Sequence, residues 1–124
     1  MSQIPLESIN SITERIIGAA IEVHRGLGPG LLESVYEECL AYELGQSGLR
    51  FQRQLQVPIR YKDLSLPGSY RIDLFVENLV VVEIKAVEVV IPVHEAQILS
   101  YMKILDAPAG LLVNFTVPLL AKGA

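Results

Sequence analysis

Two short alternating segments, one ending at Val76 and the other starting at Val80, constrain this chain more than any other feature. In Tyr70–Val76, Ile72, Leu74 and Val76 share one side of an extended strand, and Arg71, Asp73 and Phe75 share the other. In Val80–Val87, Val80, Val82 and Ile84 share a side, and Val81, Glu83 and Lys85 share its opposite. Burial pairs apolar side with apolar side, because a slip of one residue would turn every side chain over. The register that satisfies this sets Ile72 opposite Ile84, Leu74 opposite Val82 and Val76 opposite Val80. It leaves Glu77-Asn78-Leu79 as the hairpin loop, where asparagine tolerates left-handed angles. The same register sets Asp73 opposite Glu83 and Arg71 opposite Lys85. Facing carboxylates repel by some tenths of a kcal/mol or more. Neighbouring cationic side chains reduce that cost, and a divalent cation between the carboxylates removes it. Asp and Glu oxygens with water are what Mg2+ or Mn2+ prefers. A solvated hairpin face with ordinary cross-strand ion pairs carries the same residues, so the rest of the chain has to decide.

The remaining pattern reads as helices before and after the hairpin. Ile9, Ile12, Ile16, Ala19, Ala20 and Val23 recur at helical steps, with Ser8, Asn10 and Ser11 as candidate caps and Gly26 to Gly30 as the stop. A second helix is expected over Leu31–Gln46, with Leu32, Val35, Tyr36, Cys39, Leu40 and Leu44 on its apolar face and Gly48 able to end it. Phe51–Tyr61 reads as a strand that Pro58 places at an edge, followed by a turn over Lys62–Gly68. Val93–Leu105 reads as a helix with Pro92 at its start. Ala109–Val117 is apolar enough for a strand buried on both faces. The order α-α-β-β-β-α-β describes an α/β fold with helices packed on a central sheet.

Composition narrows the function. The chain has 124 residues, enough for one domain spanning 1–124, and about half of them are apolar. The lone Cys39 and two histidines do not make a closed zinc site of the usual kind. No stretch reaches the ~20 apolar residues of a membrane span, and no leader pattern opens the sequence, so a cytoplasmic protein is expected. The net charge of −4 argues against broad electrostatic binding of duplex nucleic acid, which needs many cations on phosphates. A cation held locally by carboxylates escapes that argument.

Asp73 with Glu83-Ile84-Lys85 resembles the D…(D/E)xK signature of the PD-(D/E)XK nuclease superfamily. The segment Gly30-Leu31-Leu32-Glu33-Ser34-Val35-Tyr36 matches the G-x-x-E-x-x-Y motif that names a bacterial and archaeal family within it. His24 to Gly30, Tyr70 to Leu74, Val82 to Val87, Pro92 to Gln97 and Val113-Asn114-Phe115 continue the match in order, so the resemblance covers nearly the whole chain. It implies a restriction-endonuclease-like core with a mixed sheet. It also implies catalytic roles for Glu33, Asp73, Glu83, Lys85 and Gln97. Asp73, Glu83 and Glu33 would hold Mg2+ or Mn2+, and Tyr36, His94 and Tyr101 would contact substrate.

The implied chemistry is divalent-metal-dependent hydrolysis of phosphodiester bonds in DNA or RNA. A cation held by carboxylates lowers the pKa of bound water and polarises the phosphoryl group. Two adjacent carboxylates favour a charged ammonium, so an electrostatic and positioning role suits Lys85 better than that of proton acceptor. The alternatives are a non-catalytic module that binds nucleic acid or protein on a nuclease-like fold, and a hydrolase of a smaller phosphate ester. His94-Glu95-Ala96-Gln97 is not H-E-x-x-H, so a zinc peptidase is unsupported. His24 reads as a helix-end cap or packing residue, and Asn114 as either an anchor of the site or a loop clasp. An exposed edge strand and the apolar last strand are compatible with a homodimer.

Overall fold

The computed structural model describes residues 4–116 and 120–123. Its elements run α1 (Leu6–Leu27), α2 (Glu33–Gln46), β1 (Phe51–Tyr61), β2 (Leu64–Val76), β3 (Val80–Lys85), α3 (Pro92–Leu105), β4 (Ala109–Asn114) and β5 (Leu120–Gly123). The strands form a five-stranded sheet in the order β1-β2-β3-β4-β5. β3 and β4 are parallel, and the other neighbours are antiparallel. A parallel pair needs a crossover, and α3 supplies it. The result is the expected α/β layering, with a mixed sheet between helices.

One core lies between the sheet and the first two helices. Ile16, Ala20 and Val23 of α1 and Tyr36, Leu40 and Leu44 of α2 pack with Leu74, Val76, Val80, Val82, Ile84, Leu111 and Val113. A second, smaller core lies under α3, where Tyr101 packs with Val57, Ile72, Phe75 and Val81. All six residues of β4 are buried, as a strand covered on both faces requires. Gly110 lets α3 come close: a Cβ there would lie 2.6 Å from Ile98 Cγ2 and 2.8 Å from Met102 Sδ. No helix among the described residues is long and apolar enough to cross a membrane.

Several boundaries differ from the sequence reading, each for a local reason. α1 begins at Leu6 because the Pro5 carbonyl accepts from Ser8 N at 3.0 Å, so Ser8, Asn10 and Ser11 lie inside the helix and do not cap it. The first hairpin turns on Lys62-Asp63 alone, with Lys62 at φ 53°, and pairs Tyr61 with Leu64, Arg60 with Ser65 and Ile59 with Leu66. Pro67 and Gly68, expected in the turn, sit where the register shifts opposite Val57 to Ile59. β3 stops at Lys85, two residues short of the expectation, because the Ala86 and Val87 amides donate to side chains, those of Glu33 and Asn114, and not to a neighbouring strand's carbonyls. β4 ends at Asn114, and Val117 of the expected last strand lies outside the described residues. β5 was not foreseen. It pairs with β4, so the apolar β4 is not an exposed edge. Cys39 is a half-buried residue of α2, as expected.

Candidate active site

The hairpin loop is Glu77-Asn78-Leu79, with Glu77 and Asn78 both at φ 54° and Leu79 N donating to Val76 O at 2.9 Å. From it, β2 and β3 pair as expected at Val76↔Val80, Phe75↔Val81 and Leu74↔Val82, and there the pairing ends. Beyond that point β2 stays with β1, through Leu55↔Ile72, Gln56↔Arg71 and Val57↔Tyr70. β3 stays with β4 as far as Lys85↔Asn114. The two strands therefore part in a fork. The expected pairs Ile72–Ile84 and Arg71–Lys85 do not form. Ile72 packs under α3, whereas Leu74 and Ile84 pack under α1 and α2. The side chains change face at Gln54, whose φ of 51° lies between the Arg53↔Leu74 and Leu55↔Ile72 pairs, opposite Asp73. Strict alternation cannot anticipate such a reversal, because it assumes extended backbone throughout.

Asp73 and Glu83 sit at the point where the fork opens. Asp73 N donates to Glu83 Oε2 at 2.8 Å, and Ile84 N donates to Asp73 Oδ2 at 2.7 Å. Each carboxyl thus takes a backbone N–H from the opposite strand that the ladder no longer satisfies. Glu83 is only 7 % exposed and Asp73 is half-buried. Burial, reinforced by the charge of Asp73, pushes the Glu83 carboxyl up to about 7, against the backbone hydrogen bond and Lys85, which lower it. Burial and the charge of Glu37 raise Asp73 as well, opposed by the Ile84 N–H, Gln54 and Lys85. Burial and mutual repulsion favour the protonated form of the pair, and a hard cation is the other way to neutralise it.

Glu33, the first residue of α2, does not join the pair. Its Oε2 accepts from Ala86 N at 3.0 Å, which ties the start of α2 to the end of β3 beside Lys85. Among the described residues no three His, Cys, Asp or Glu side chains come together as a metal site. A cation here would rest on Asp73 and Glu83, with water and substrate oxygens filling its shell, a sparse set of the kind Mg2+ accepts. The all-oxygen donors and the excess negative charge fit such an ion.

Glu37, which sequence reasoning did not single out, reaches the site through Gln54. Gln54 Nε2 donates to Glu37 Oε1 at 2.6 Å and to Asp73 Oδ1 at 3.3 Å. Glu37 Oε2 accepts from Arg53 Nε at 3.2 Å and Nη2 at 3.1 Å. The signal was its spacing: Glu37 lies one turn beyond Glu33, on the same side of α2.

Lys85 is half-buried, and its charge lowers both carboxyls. On the same face of β3, Tyr101 of α3 is buried against Val81. Its hydroxyl is raised first by burial and then by the charges of Glu83, Tyr70 and Asp73. Gln97 is half-buried one turn earlier on the same side of α3, with no side-chain hydrogen bond among the described residues. His94 Nδ1 accepts from Ile91 N at 3.2 Å, a bond at the helix start. Tyr36, expected among the substrate contacts, is wholly buried. It stacks on Phe115 with centroids 4.4 Å apart, and its hydroxyl donates to Gly28 O at 2.5 Å and accepts from Leu31 N at 3.1 Å. It holds the interhelical turn. His24 packs beside Phe115, ring centroids 6.3 Å apart. Asn114 is a loop clasp: its side chain donates to Val87 O at 2.8 Å and accepts from Val87 N and Thr116 N at 3.2 Å each.

The arrangement offers a paired acidic centre acted on by the charge of Lys85, with Tyr101 on the helix that covers this face. A family model described as the PD-(D/E)XK nuclease superfamily matches residues 10–123. Neither the curated proteins nor the solved structures offered a match.

Proposed function

The chain belongs to the PD-(D/E)XK nuclease superfamily, and from that premise we propose that it hydrolyses phosphodiester bonds of DNA or RNA with Mg2+ or Mn2+ held between Asp73 and Glu83. The observation that carries this reading is the carboxyl pair at the fork, pinned by backbone N–H groups from both strands with the charge of Lys85 acting on it. When bound, the ion supplies a more acidic water and polarises the phosphoryl oxygens. Lys85 steadies negative charge developing on the phosphate and orients the attacking water. Glu33 works as a positioning residue by fixing the backbone just after Lys85. Gln97 and Tyr101 supply hydrogen bonds to the phosphate from α3, with His94 at the rim. Gly30, Glu33 and Tyr36 support placing the chain in the G-x-x-E-x-x-Y branch.

The test is cleavage of single-stranded, duplex and branched DNA and of RNA with Mg2+ or Mn2+. Activity should disappear in Asp73→Ala and in Lys85→Ala while both remain folded. Absence of cleavage on every substrate, together with no cation binding by calorimetry, rejects the reading. The acidic balance of the chain favours a second reading, a nuclease-like module that binds without cutting. Cation binding without cleavage would support it.

A further inference from the structure

The cationic side chains are unevenly placed. Five of the ten Lys and Arg residues, but only one of the fourteen acidic residues, fall within residues 50–71. That stretch is β1, the Lys62-Asp63 turn and most of β2, which pair with each other as a two-stranded ribbon. Arg53 is committed to Glu37 and Glu38, and Arg50 lies 3.9 Å from Glu77. Arg60, Lys62 and Arg71 have no carboxylate partner among the described residues. Lys62 Nζ lies 5.3 Å from the centroid of the Tyr61 ring.

The ribbon also exposes aromatic surface. Tyr61 is 64 % exposed near its tip and Tyr70 is 51 % exposed nearer its base. Pairing puts Tyr61 beside Leu64, Ile59 beside Leu66 and Tyr70 beside Val57. Val57 and Ile59 belong to the core under α3, so this apolar face continues onto that helix. The Tyr70 ring lies 6.3 Å from that of Tyr101, and Tyr70 precedes Asp73 by three residues on β2. Three tyrosines therefore lead from the ribbon tip to the carboxyl pair.

We infer that the β1–β2 ribbon is an arm that binds single-stranded nucleic acid, stacking bases on Tyr61 and Tyr70, drawing the backbone with Arg60, Lys62 and Arg71, and leading the strand toward Asp73 and Glu83. The ligand class rests on the proposed nuclease function. Unpaired bases stack on exposed rings whatever their sequence, and few cations suffice when stacking shares the work. A duplex hides its base faces and asks for more phosphate contacts than this acidic chain offers.

The experiment uses the full chain carrying Asp73→Asn, in EDTA, so that binding is read without cleavage. Fluorescence anisotropy is followed with labelled oligothymidine, oligouridine and a matched DNA duplex, and sedimentation gives the state of the protein. The single strands should bind more tightly than the duplex. Tyr61→Ala with Tyr70→Ala, and separately Arg60→Ala with Lys62→Ala, should each weaken single-strand binding at least tenfold, with Tyr61→Phe close to the parent. The cation variant should also show a shallower salt dependence, by about 0.7 in log–log slope for each phosphate it no longer neutralises. Unchanged single-strand affinity in both double variants overturns the arm even if the parent protein cuts nucleic acid. Loss of affinity in both upholds it even if no cleavage is ever seen. A dimer that both double variants break, with oligonucleotide binding unaltered, would make the ribbon a self-association surface and also overturn it.

Discussion

Asp73 and Glu83 hold each other's strands: the amide of Asp73 donates to the Glu83 carboxyl at 2.8 Å, and the amide of Ile84, next to Glu83, donates to the Asp73 carboxyl at 2.7 Å. The pair closes the fork between β2 and β3 while concentrating negative charge inside it. Structure and chemistry therefore make opposite demands on the same oxygens, and substitutions can separate them.

Asp73→Asn keeps an acceptor for Ile84 N and removes the repulsion, so its thermal midpoint should equal or exceed that of the wild type. Asp73→Ala strands the amide and should cost about 1–3 kcal/mol. Both should lose cation affinity in calorimetry. Equal destabilisation by the two variants would show that the charge, not the acceptor, supports the fork.

The pH dependence should run opposite to ordinary acid denaturation. The folded chain keeps the Glu83 proton up to about 7, while an unfolded glutamate releases it near 4.5. Between those values the folded state binds more protons, so stability falls as pH rises toward 7 and levels off above it. The loss attributable to Glu83 is about 3 kcal/mol at most. Urea midpoints between pH 5.5 and 8 should show the decline. Glu83→Gln should flatten it, and Mn2+ should offset it at the alkaline end. A wild-type midpoint that rises over this range would contradict the protonated pair.

Much of this site was legible in the sequence because alternation is a strong signal where strands are regular. The loop at Glu77 to Leu79, the pairs from Leu74↔Val82 to Val76↔Val80 and the meeting of Asp73 with Glu83 all follow from it. The failures begin opposite Gln54, a left-handed residue of β1: Ile72, paired with the next residue, Leu55, packs in the other core. Glu37 was passed over because its partners, Arg53 and Gln54, come from a strand whose facing is set by that same reversal. Tyr36 stands on the apolar face of its helix yet also in a motif that implies substrate contact, and Asn114 interrupts an apolar strand; a polar group in an apolar setting does not reveal whether its partner is a ligand or a nearby turn. In both cases the partner is the chain's own backbone.

Glu37 should influence Asp73 without touching it, since its charge raises the Asp73 carboxyl and Gln54 bridges the two. Glu37→Gln should lower the Asp73 titration midpoint, read from carboxyl carbon shifts by NMR. Glu37→Ala should also release Arg53 and cost about 1–2 kcal/mol, tempered by the partial exposure of the arginine. An unmoved Asp73 midpoint in Glu37→Gln would remove Glu37 from the site.

Gly110→Ala tests how closely α3 rides on β4. A methyl group 2.6 Å from Ile98 Cγ2 forces the helix outward or the isoleucine off its rotamer. Overpacking of this kind costs about 1–3 kcal/mol. Because α3 carries Gln97 and Tyr101, the displacement should also reduce cleavage at temperatures where the variant is fully folded. Denaturation curves and assays on the same preparation would check both, and a stability equal to the wild type would show slack above β4.

Tyr36→Phe separates the two readings of the motif tyrosine. Its hydroxyl serves Gly28 O and Leu31 N in the turn between α1 and α2, and the ring is closed off beneath Phe115. Removing the oxygen leaves a carbonyl and an amide to find water, at a cost of about 1–2 kcal/mol. That turn delivers Glu33 to Ala86 N, so the cleavage rate should fall modestly as the end of β3 loosens. Oligonucleotide affinity in EDTA should stay within twofold of the wild type. A large loss of affinity with unchanged stability would return Tyr36 to the substrate contacts, and would require the turn to open before nucleic acid binds.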